Sequence, residues 1–227
     1  SHIIKRNFFV APINGTMPAI DLYPNPLQNP VNRFFKRAFD IFFSAGVILT
    51  FGLPILIPVA IAIKLSSPGP VFFKQKRTGY RGRDFNCYKF RTMKINNESD
   101  SRAATKDDER KTRVGDFLRR TSIDELPQFW NVLMGDMSVV GPRPHMVSFT
   151  KQYRQVIGEY MVRLLIKPGI TGWAQANGYR GNTDKLWKME KRVESDIWYI
   201  ENWSFRLDLK IILMTVIDII KGDENAY

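Results

Sequence analysis

Cysteine is almost missing from this chain of 227 residues: Cys87 stands alone, which excludes an internal disulfide and fits a reducing compartment. Histidine occurs only at His2 and His145, and no Cys/His cluster forms, which removes the usual zinc ligand sets. Acidic residues are outnumbered, 22 against 34 Lys and Arg, leaving a formal charge of +12. Such an excess calls for a polyanionic partner: nucleic acid, an anionic membrane surface or phosphorylated substrates. No internal repeat and no signal peptide is visible, and the chain opens on Ser1-His2 rather than methionine, as a processed end or an engineered start does. The length allows one domain with or without appendages.

Charge is also absent from one long stretch. IFFSAGVILTFGLPILIPVAIAI, 41–63, has 23 residues without an ionisable side chain. As a straight helix it would run ~35 Å, enough for a hydrocarbon core of ~30 Å. A buried core helix explains so long a run poorly. Gly52, Pro54 and Pro58 lie near its middle, where each proline removes a backbone donor and favours a bend. Basic residues flank both ends: Arg33, Lys36 and Arg37 before, Lys64, Lys74, Lys76 and Arg77 after. The positive-inside rule therefore assigns no orientation. A hairpin that enters one leaflet and returns satisfies both flanks; a kinked spanning helix is the alternative.

Residues 1–32 carry five prolines without a period and read as an irregular lead-in. RFFKRAFD, 33–40, reads as an amphipathic membrane entry. PVFFKQ (70–75) and FNCYKFRTM (85–93) read as strands, with Lys89 and Arg91 two apart on one face that could hold anions. Residues 94–113 are charged and nearly free of apolar side chains, as in a mobile loop or exposed helix. Residues 114–120, 123–134, 146–165 and 184–200 read as helices, the last carrying Asp196. KPGITGWAQANGYRG, 167–181, reads as loop, in which Trp173, Gln175, Asn177 and Arg180 can meet a ring or sugar; a structural turn is the alternative. LDLKIILMTVIDIIK, 207–221, suits a surface-lying or core helix, with Trp187, Trp198 and Trp203 at a headgroup boundary.

The richest segment is RRTSIDELPQFWNVLMGDMSVVGPRP, 119–144. Ser122 and Glu125 match the S-x-x-E capping box, which predicts Asp124 in the first turn of a helix, among unpaired N–H groups. Asp124 itself is the other candidate cap, with Pro127 then in the first turn. Arg119 and Arg120 precede the pair, and Arg143 follows in a Gly-Pro-Arg-Pro turn. Two carboxylates, Asp124 and Glu125, amid anion-binding groups predict a phosphate-handling site that also holds a nucleophile or a metal. A carboxylate at a helix start is often only a good dipole partner, so its neighbours decide the reading.

Together KRAFDI (36–41), YKFRTM (88–93), LRRTSIDELPQFWNVLMGDMSVVGPRP (118–144) and KPGITGWAQANG (167–178) resemble the bacterial sugar transferases, the monotopic polyprenyl-phosphate phosphoglycosyl transferases. The similarity runs from about Arg33 to the C-terminus. GPRPH (141–145), QYRQ (152–155) and KMEKRVE (188–194) are most similar to the undecaprenyl-phosphate glucose phosphotransferases of that family. The resemblance implies transfer of a sugar-1-phosphate, glucose first, from a UDP-sugar to undecaprenyl phosphate, with UMP released. It implies Mg²⁺ held at Asp124 and Glu125, and a covalent intermediate on Asp124 with Glu125 as its dyad partner. Lys89 matches the family's essential basic residue in the YKF run, Arg119 its arginine five residues before the nucleophile, and Asp196 its acidic residue in the late helix. Leu53-Pro54 matches its hairpin break, where a serine commonly precedes the proline. The implied place is the cytoplasmic face of a bacterial inner membrane, at the first membrane step of capsule, exopolysaccharide or O-antigen synthesis. Many relatives carry a further N-terminal domain.

These readings predict an α+β, mostly helical, membrane-associated fold. An irregular lead-in (1–32) precedes a proline-broken re-entrant hairpin (33–66) and a catalytic domain (67–227) ending in interfacial helices. UDP-sugar, undecaprenyl phosphate and phospholipid are the expected partners, nucleic acid is not, and a homo-oligomer is compatible with the sequence. A basic nucleic-acid module leaves 41–63 unexplained and shows no groove-reading motif. A non-catalytic membrane scaffold for glycan assembly is the remaining alternative.

Overall fold

The computed structural model describes residues 9–11, 19–21, 23–96, 105, 108–179, 181 and 185–221. Within the lead-in, β1 (Phe9–Ala11) and β2 (Ala19–Asp21) pair antiparallel, so the expected irregularity is incomplete. A 3₁₀ turn at Pro26–Gln28 then delivers the chain to α1 (Pro30–Val47). Asn29 caps this helix by accepting from the Val31 N–H, and Pro30 occupies a first-turn position where no donor is needed.

α1 is inside out. Lys36, Asp40 and Ser44, spaced four apart, form its buried stripe, while Val31, Phe34, Phe35 and Phe42 are exposed. Buried charge must be paired. Lys36 Nζ donates to Asp208 Oδ2 at 2.7 Å, and Asp40 Oδ1 accepts from Ser138 Oγ and the Val139 N–H, both at 3.0 Å. Arg37 donates to the Val132 and Leu133 carbonyls at 2.5 and 2.7 Å. The polar stripe thus fastens α1 to the protein and leaves its apolar face outward.

The chain stays helical beyond α1. A π turn at Ile48–Gly52 leads directly into α2 (Leu53–Ser66), giving a helical path from Pro30 to Ser66 with little of its apolar stretch buried by protein. The expected break at Leu53-Pro54 is therefore replaced by a widened turn. Val47, Ile48, Gly52 and Leu53 all keep right-handed helical angles, and the Leu53 N–H reaches back to the Ile48 carbonyl. Widening shifts the bonding register just ahead of Pro54, which has no N–H to donate. The far end of α2 returns to protein: Ile63 is buried with Phe90 and Leu118.

β3 (Phe72–Thr78) and β4 (Asp84–Phe90) form the expected antiparallel hairpin, with Phe73 opposite Lys89 and Gln75 opposite Cys87. Alternation puts Phe73, Gln75 and Arg77 on the face that carries Cys87 and Lys89. Of the charged 94–113 segment, most of 97–107 lies outside the described residues. Asp108 and Arg110 are buried and paired at 2.5 Å, unlike a fully solvated loop. α3 (Arg113–Arg120) follows, with Thr112 Oγ1 accepting from the Gly115 N–H at 2.9 Å. α4 (Gln128–Met134) ends at Gly135, whose φ of 93° closes the helix.

β5 (Ser138–Val140) precedes α5 (Val147–Val156) and a 3₁₀ turn at Tyr160–Leu165. The single helix expected over 146–165 is therefore divided, with Gly158 in the interruption. The glycine-rich stretch expected to be loop contains β6 (Gly169–Thr171), parallel to β5, and the short α6 (Trp173–Ala176). Gly169 and Gly172 serve close packing: a Cβ on Gly169 would stand 2.1 Å from the Gly141 nitrogen. α7 (Leu186–Glu201) and α8 (Phe205–Lys221) complete the fold. α8 buries Asp208 and Ile211 and exposes Leu209, Leu213, Val216, Ile217 and Ile220. The main core gathers Val132, Met137, Val140, Tyr199, Ile200 and Ile211 between α4, β5, α7 and α8. Trp203 is inside it, donating to Asp208, rather than at a surface boundary. Trp187 and Trp198 are exposed.

Candidate active site

Asp124 and Glu125 occupy a single 3₁₀ turn, Ile123–Glu125, between α3 and α4. The capping box does not form. Ser122 has φ 57°, makes no side-chain cap bond, and provides the left-handed exit from α3. α4 itself begins three residues after Glu125, beyond Pro127, so the pair sits ahead of that helix rather than in its first turn. What surrounds the carboxylates is side-chain charge.

β4 and the Gly-Pro-Arg-Pro turn supply that charge. Lys89 Nζ lies 2.7 Å from Glu125 Oε1 and 3.5 Å from Asp124 Oδ2. Arg143 Nη2 reaches the same Glu125 oxygen at 2.9 Å. Arg119 comes from the last turn of α3, oriented by a 2.8 Å bond from its Nε to Thr92 Oγ1, and acts on Asp124 through its charge. The two carboxylates are thereby differentiated. Glu125 accepts from two cations, whereas no hydrogen bond among the described residues reaches the Asp124 carboxylate.

Electrostatics sharpen the difference. Burial pushes the Asp124 carboxyl above its ordinary range; Lys89 pulls it back, Glu125 raises it further, and Arg119 and Arg143 oppose the rise. The expected helix-tip stabilisation of ionised Asp124 is thus replaced by three cations working against desolvation. Arg143 is held still more firmly protonated by Glu125.

The remaining sequence-predicted residues stand apart from the pair. Arg91, just past β4, donates to the Ser67 and Pro68 carbonyls and so clamps the exit of α2. Strand alternation ends at Phe90, which is why Arg91 does not follow Lys89. Asp196 is buried against Arg163, with Arg163 Nη2 and Nε at 2.6 and 3.0 Å from one oxygen. The same Arg163 donates to the Arg143 carbonyl at 2.9 Å, so Asp196 supports the site from behind. Trp173 stacks on Trp198 at 4.7 Å, with Lys210 over its ring, which spends its aromatic face on protein. Gln175 is buried and donates to the Ile170 carbonyl at 3.2 Å. Leu53 and Pro54 are exposed on the apolar helical path. Arg180 lies outside the described residues.

Two residues that the sequence reading passed over matter here. Arg163 bridges Asp196, His145 and the Arg143 carbonyl, and nothing in a 3₁₀ turn's periodicity marks it. Arg77 donates to the Pro144 carbonyl at 2.6 Å and steadies the Arg143 turn; its place on the Lys89 face of β3–β4 was readable from alternation.

As a metal site, the pair is a partial donor set. No group of three metal-ligating side chains occurs among the described residues. Two adjacent carboxylates do suit Mg²⁺, which is commonly held by one or two carboxylates with substrate phosphates and waters completing the shell.

The fold and the site define a mostly helical domain with one long apolar helical path and a buried carboxylate pair among three cations. Residues 31–222 match the bacterial sugar transferase family, and the chain belongs to it. It is 55% identical over 205 residues, 90% of this chain and 44% of the relative, to the UDP-glucose:undecaprenyl-phosphate glucose-1-phosphate transferase of Escherichia coli. The enzyme of the same name from Klebsiella pneumoniae is 54% identical over 95% of this chain and 46% of its own. A UDP-N-acetylgalactosamine-undecaprenyl-phosphate N-acetylgalactosaminephosphotransferase of Aeromonas hydrophila is 44% identical over 86% of this chain and 46% of its own. The chain thus spans less than half the length of these relatives.

Proposed function

We propose that this chain transfers a sugar-1-phosphate, glucose before other sugars, from a UDP-sugar to undecaprenyl phosphate at the cytoplasmic face of a bacterial inner membrane. The observation that carries this reading is the division of labour within the pair. Glu125 accepts from Lys89 and Arg143, while buried Asp124 accepts no hydrogen bond among the described residues and meets Lys89 only at 3.5 Å. A carboxylate left so is a nucleophile in waiting.

The reaction follows from charge. An anionic carboxylate meets an anionic diphosphate, and the barrier is electrostatic before it is covalent. Lys89, Arg119 and Arg143 lower it by facing both partners. An Asp124 oxygen then bonds to the sugar-bearing phosphorus, and the bridging P–O bond breaks with its electron pair leaving on UMP. In the second half, a phosphate oxygen of the lipid attacks the same phosphorus and returns the carboxylate. The donor and acceptor use the site in turn, so the kinetics are ping-pong. Mg²⁺, held by Asp124 and Glu125, would supply further neutralisation of the diphosphate. The product fits an early membrane step of capsule, exopolysaccharide or O-antigen assembly. The direct test is UMP release over a panel of UDP-sugars with undecaprenyl phosphate. UDP-glucose should be used fastest; no release with any sugar would discard the reading.

The residues that clasp the helical path support a re-entrant course. At the near end Arg37 bonds to α4 carbonyls, and at the far end Arg91, at the exit of β4, bonds to the Ser67 and Pro68 carbonyls. α4 and β4 are themselves joined, Asn131 accepting from the Tyr88 N–H and donating to the Asn86 carbonyl. Both ends therefore grip one folded body, which sits on one side of a bilayer. Cysteines placed at exposed Arg33 and Arg120, with buried Cys87 as the only native thiol, should react with an impermeant maleimide from the same side of sealed vesicles. Labelling from opposite sides would require a spanning helix instead.

Lys89 should also set the acid limit of activity. Because burial raises the Asp124 carboxyl and Lys89 is the first force lowering it, Lys89→Gln should raise it further. As pH falls, the variant's nucleophile is protonated sooner. The acid limb of kcat/KM, which reports the free enzyme, should move to higher pH. A limb that stays in place while kcat drops would leave Lys89 with substrate binding alone.

A further inference from the structure

Most of the chain's positive charge lies outside the catalytic ring, and part of it converges elsewhere. A cavity of about 620 Å³ opens between the start of α1 and the loop ahead of β6. Arg33, Lys36, Arg37, Arg81 and Lys167 line it against a single carboxylate, Asp40. None of the catalytic residues is part of this lining. Lys36 is matched by Asp208, and Asp40 Oδ1 is taken up by Ser138 and the Val139 N–H. No hydrogen bond or ion pair among the described residues engages the side chains of Arg33 or Lys167. Arg37 and Lys167 converge: Nη2 and Nζ stand 3.6 and 3.5 Å from the point where a side chain on Gly135 would begin. Two cations on one side of the cavity, one pinned by main-chain carbonyls, repel each other and favour an anion between them. Lys167 feels this already, its ammonium pushed down by burial and then by Arg37, with Asp40 and Asp136 opposing the fall.

The location limits which anion. Arg33 lies on the same helical turn as Phe34 and Phe35, exposed by 68% and 61% on the face α1 turns outward. Leu27 and Leu165 add apolar walls. A basic cavity beside an apolar membrane entry sits at headgroup depth, where phosphate-bearing lipids are recognised. We propose that this cavity is a second anion site, separate from the Asp124 centre, which holds the phosphate of an anionic phospholipid headgroup or of a soluble phosphate and so anchors the entry of α1.

The test titrates the full chain in neutral detergent with three probes: short-chain phosphatidylglycerol, short-chain phosphatidylcholine and inorganic phosphate. Binding is followed by calorimetry. Phosphatidylglycerol should bind at one site, and Arg33→Gln and Lys167→Gln should each weaken it about fivefold, the double variant about 25-fold. Lys191→Gln, at an exposed lysine of α7, and Asp124→Asn should leave it unchanged. Arg33 is exposed, so its variant reports even where the Lys167 change perturbs the fold. Phosphatidylglycerol bound and inorganic phosphate not bound identifies the headgroup as the source. Inorganic phosphate bound with the same losses supports the anion site with soluble phosphate as its ligand. Equal affinity in wild type and double variant, equal binding of phosphatidylcholine, or loss in Asp124→Asn would overturn the proposal.

Discussion

Asp124→Asn is expected to lower sugar-phosphate transfer by roughly 10³-fold or more, the scale seen when a covalent nucleophile is removed. The fold should stand. Asparagine is nearly isosteric, and Asp124 accepts no hydrogen bond from the described residues that the change would break. Its stability effect has a definite sign. Burial disfavours the charged carboxylate, so at neutral pH the ionised group costs the folded state free energy that the unfolded chain does not bear. The neutral amide removes that cost, and the variant's melting temperature should equal or exceed that of the wild type at pH 7.5. Glu125→Gln should do the opposite, since it leaves Lys89 and Arg143 without their shared anion. Near-normal turnover in Asp124→Asn would favour the scaffold reading; lost turnover with a much lower melting temperature would make Asp124 a structural residue.

The largest stability loss should come from Arg163. Arg163 and Asp196 are each 2% exposed and paired at 2.6 Å. Breaking such a pair leaves an uncompensated buried charge, at a cost of about 3–5 kcal/mol. Arg163→Met should lose that much, and Arg163→Met with Asp196→Leu should recover a large part, because a buried pair replaced whole by apolar side chains is often neutral. Activity should not recover with stability. Arg163 also donates to the Arg143 carbonyl, and His145 Nδ1 accepts from the same guanidinium at 2.6 Å. Without Arg163 the Arg143 turn is steadied from one side only, by Arg77. Denaturation midpoints and UMP release, measured on the same samples, separate the two effects. A double variant as unstable as the single would contradict the pairing argument.

How much of this was legible beforehand differs by element. The β3–β4 strands follow from short aromatic-rich runs and α8 from a nearly continuous apolar run, and α7 lies within two residues of the expected 184–200. The apolar 41–63 stretch declared itself by length, yet the π turn within it did not: such a turn has no sequence mark beyond the prolines it precedes. The S-x-x-E pattern misled because Ser122 sits where α3 must reverse direction, and the left-handed angle it adopts there removes it from capping. The glycine-rich 167–181 stretch looked like loop because its glycines carry no apolar signal, although Gly169 and Gly172 are there for backbone contact with Gly141. Lys36, Asp40 and Ser44 were visible as an i, i+4, i+8 series, but polar residues on a membrane-entering helix are usually read as its solvent face. Only the partners of Lys36 and Asp40 on β5 and α8 reveal that this stripe points inward.

In the candidate cluster, Asp124 and Glu125 are neighbours along the chain, and Lys89 was singled out by the resemblance of its YKF run. Arg119 and Arg143 were close in sequence to a marked motif. Arg91 was misplaced by one residue beyond the end of a strand, and Trp173 by an unforeseen aromatic neighbour, Trp198. Asp196 is one step removed from the centre because Arg163, from a turn without periodicity, intervenes.

The most direct test of the account is to expose the protein to UDP-glucose without lipid acceptor, quench it, and map any adduct by peptide mass spectrometry. The account predicts one equivalent of UMP released per protein and one hexose phosphate on Asp124, discharged when undecaprenyl phosphate is added. Product formed at full rate from both substrates, with Asp124 never carrying that mass, would contradict it.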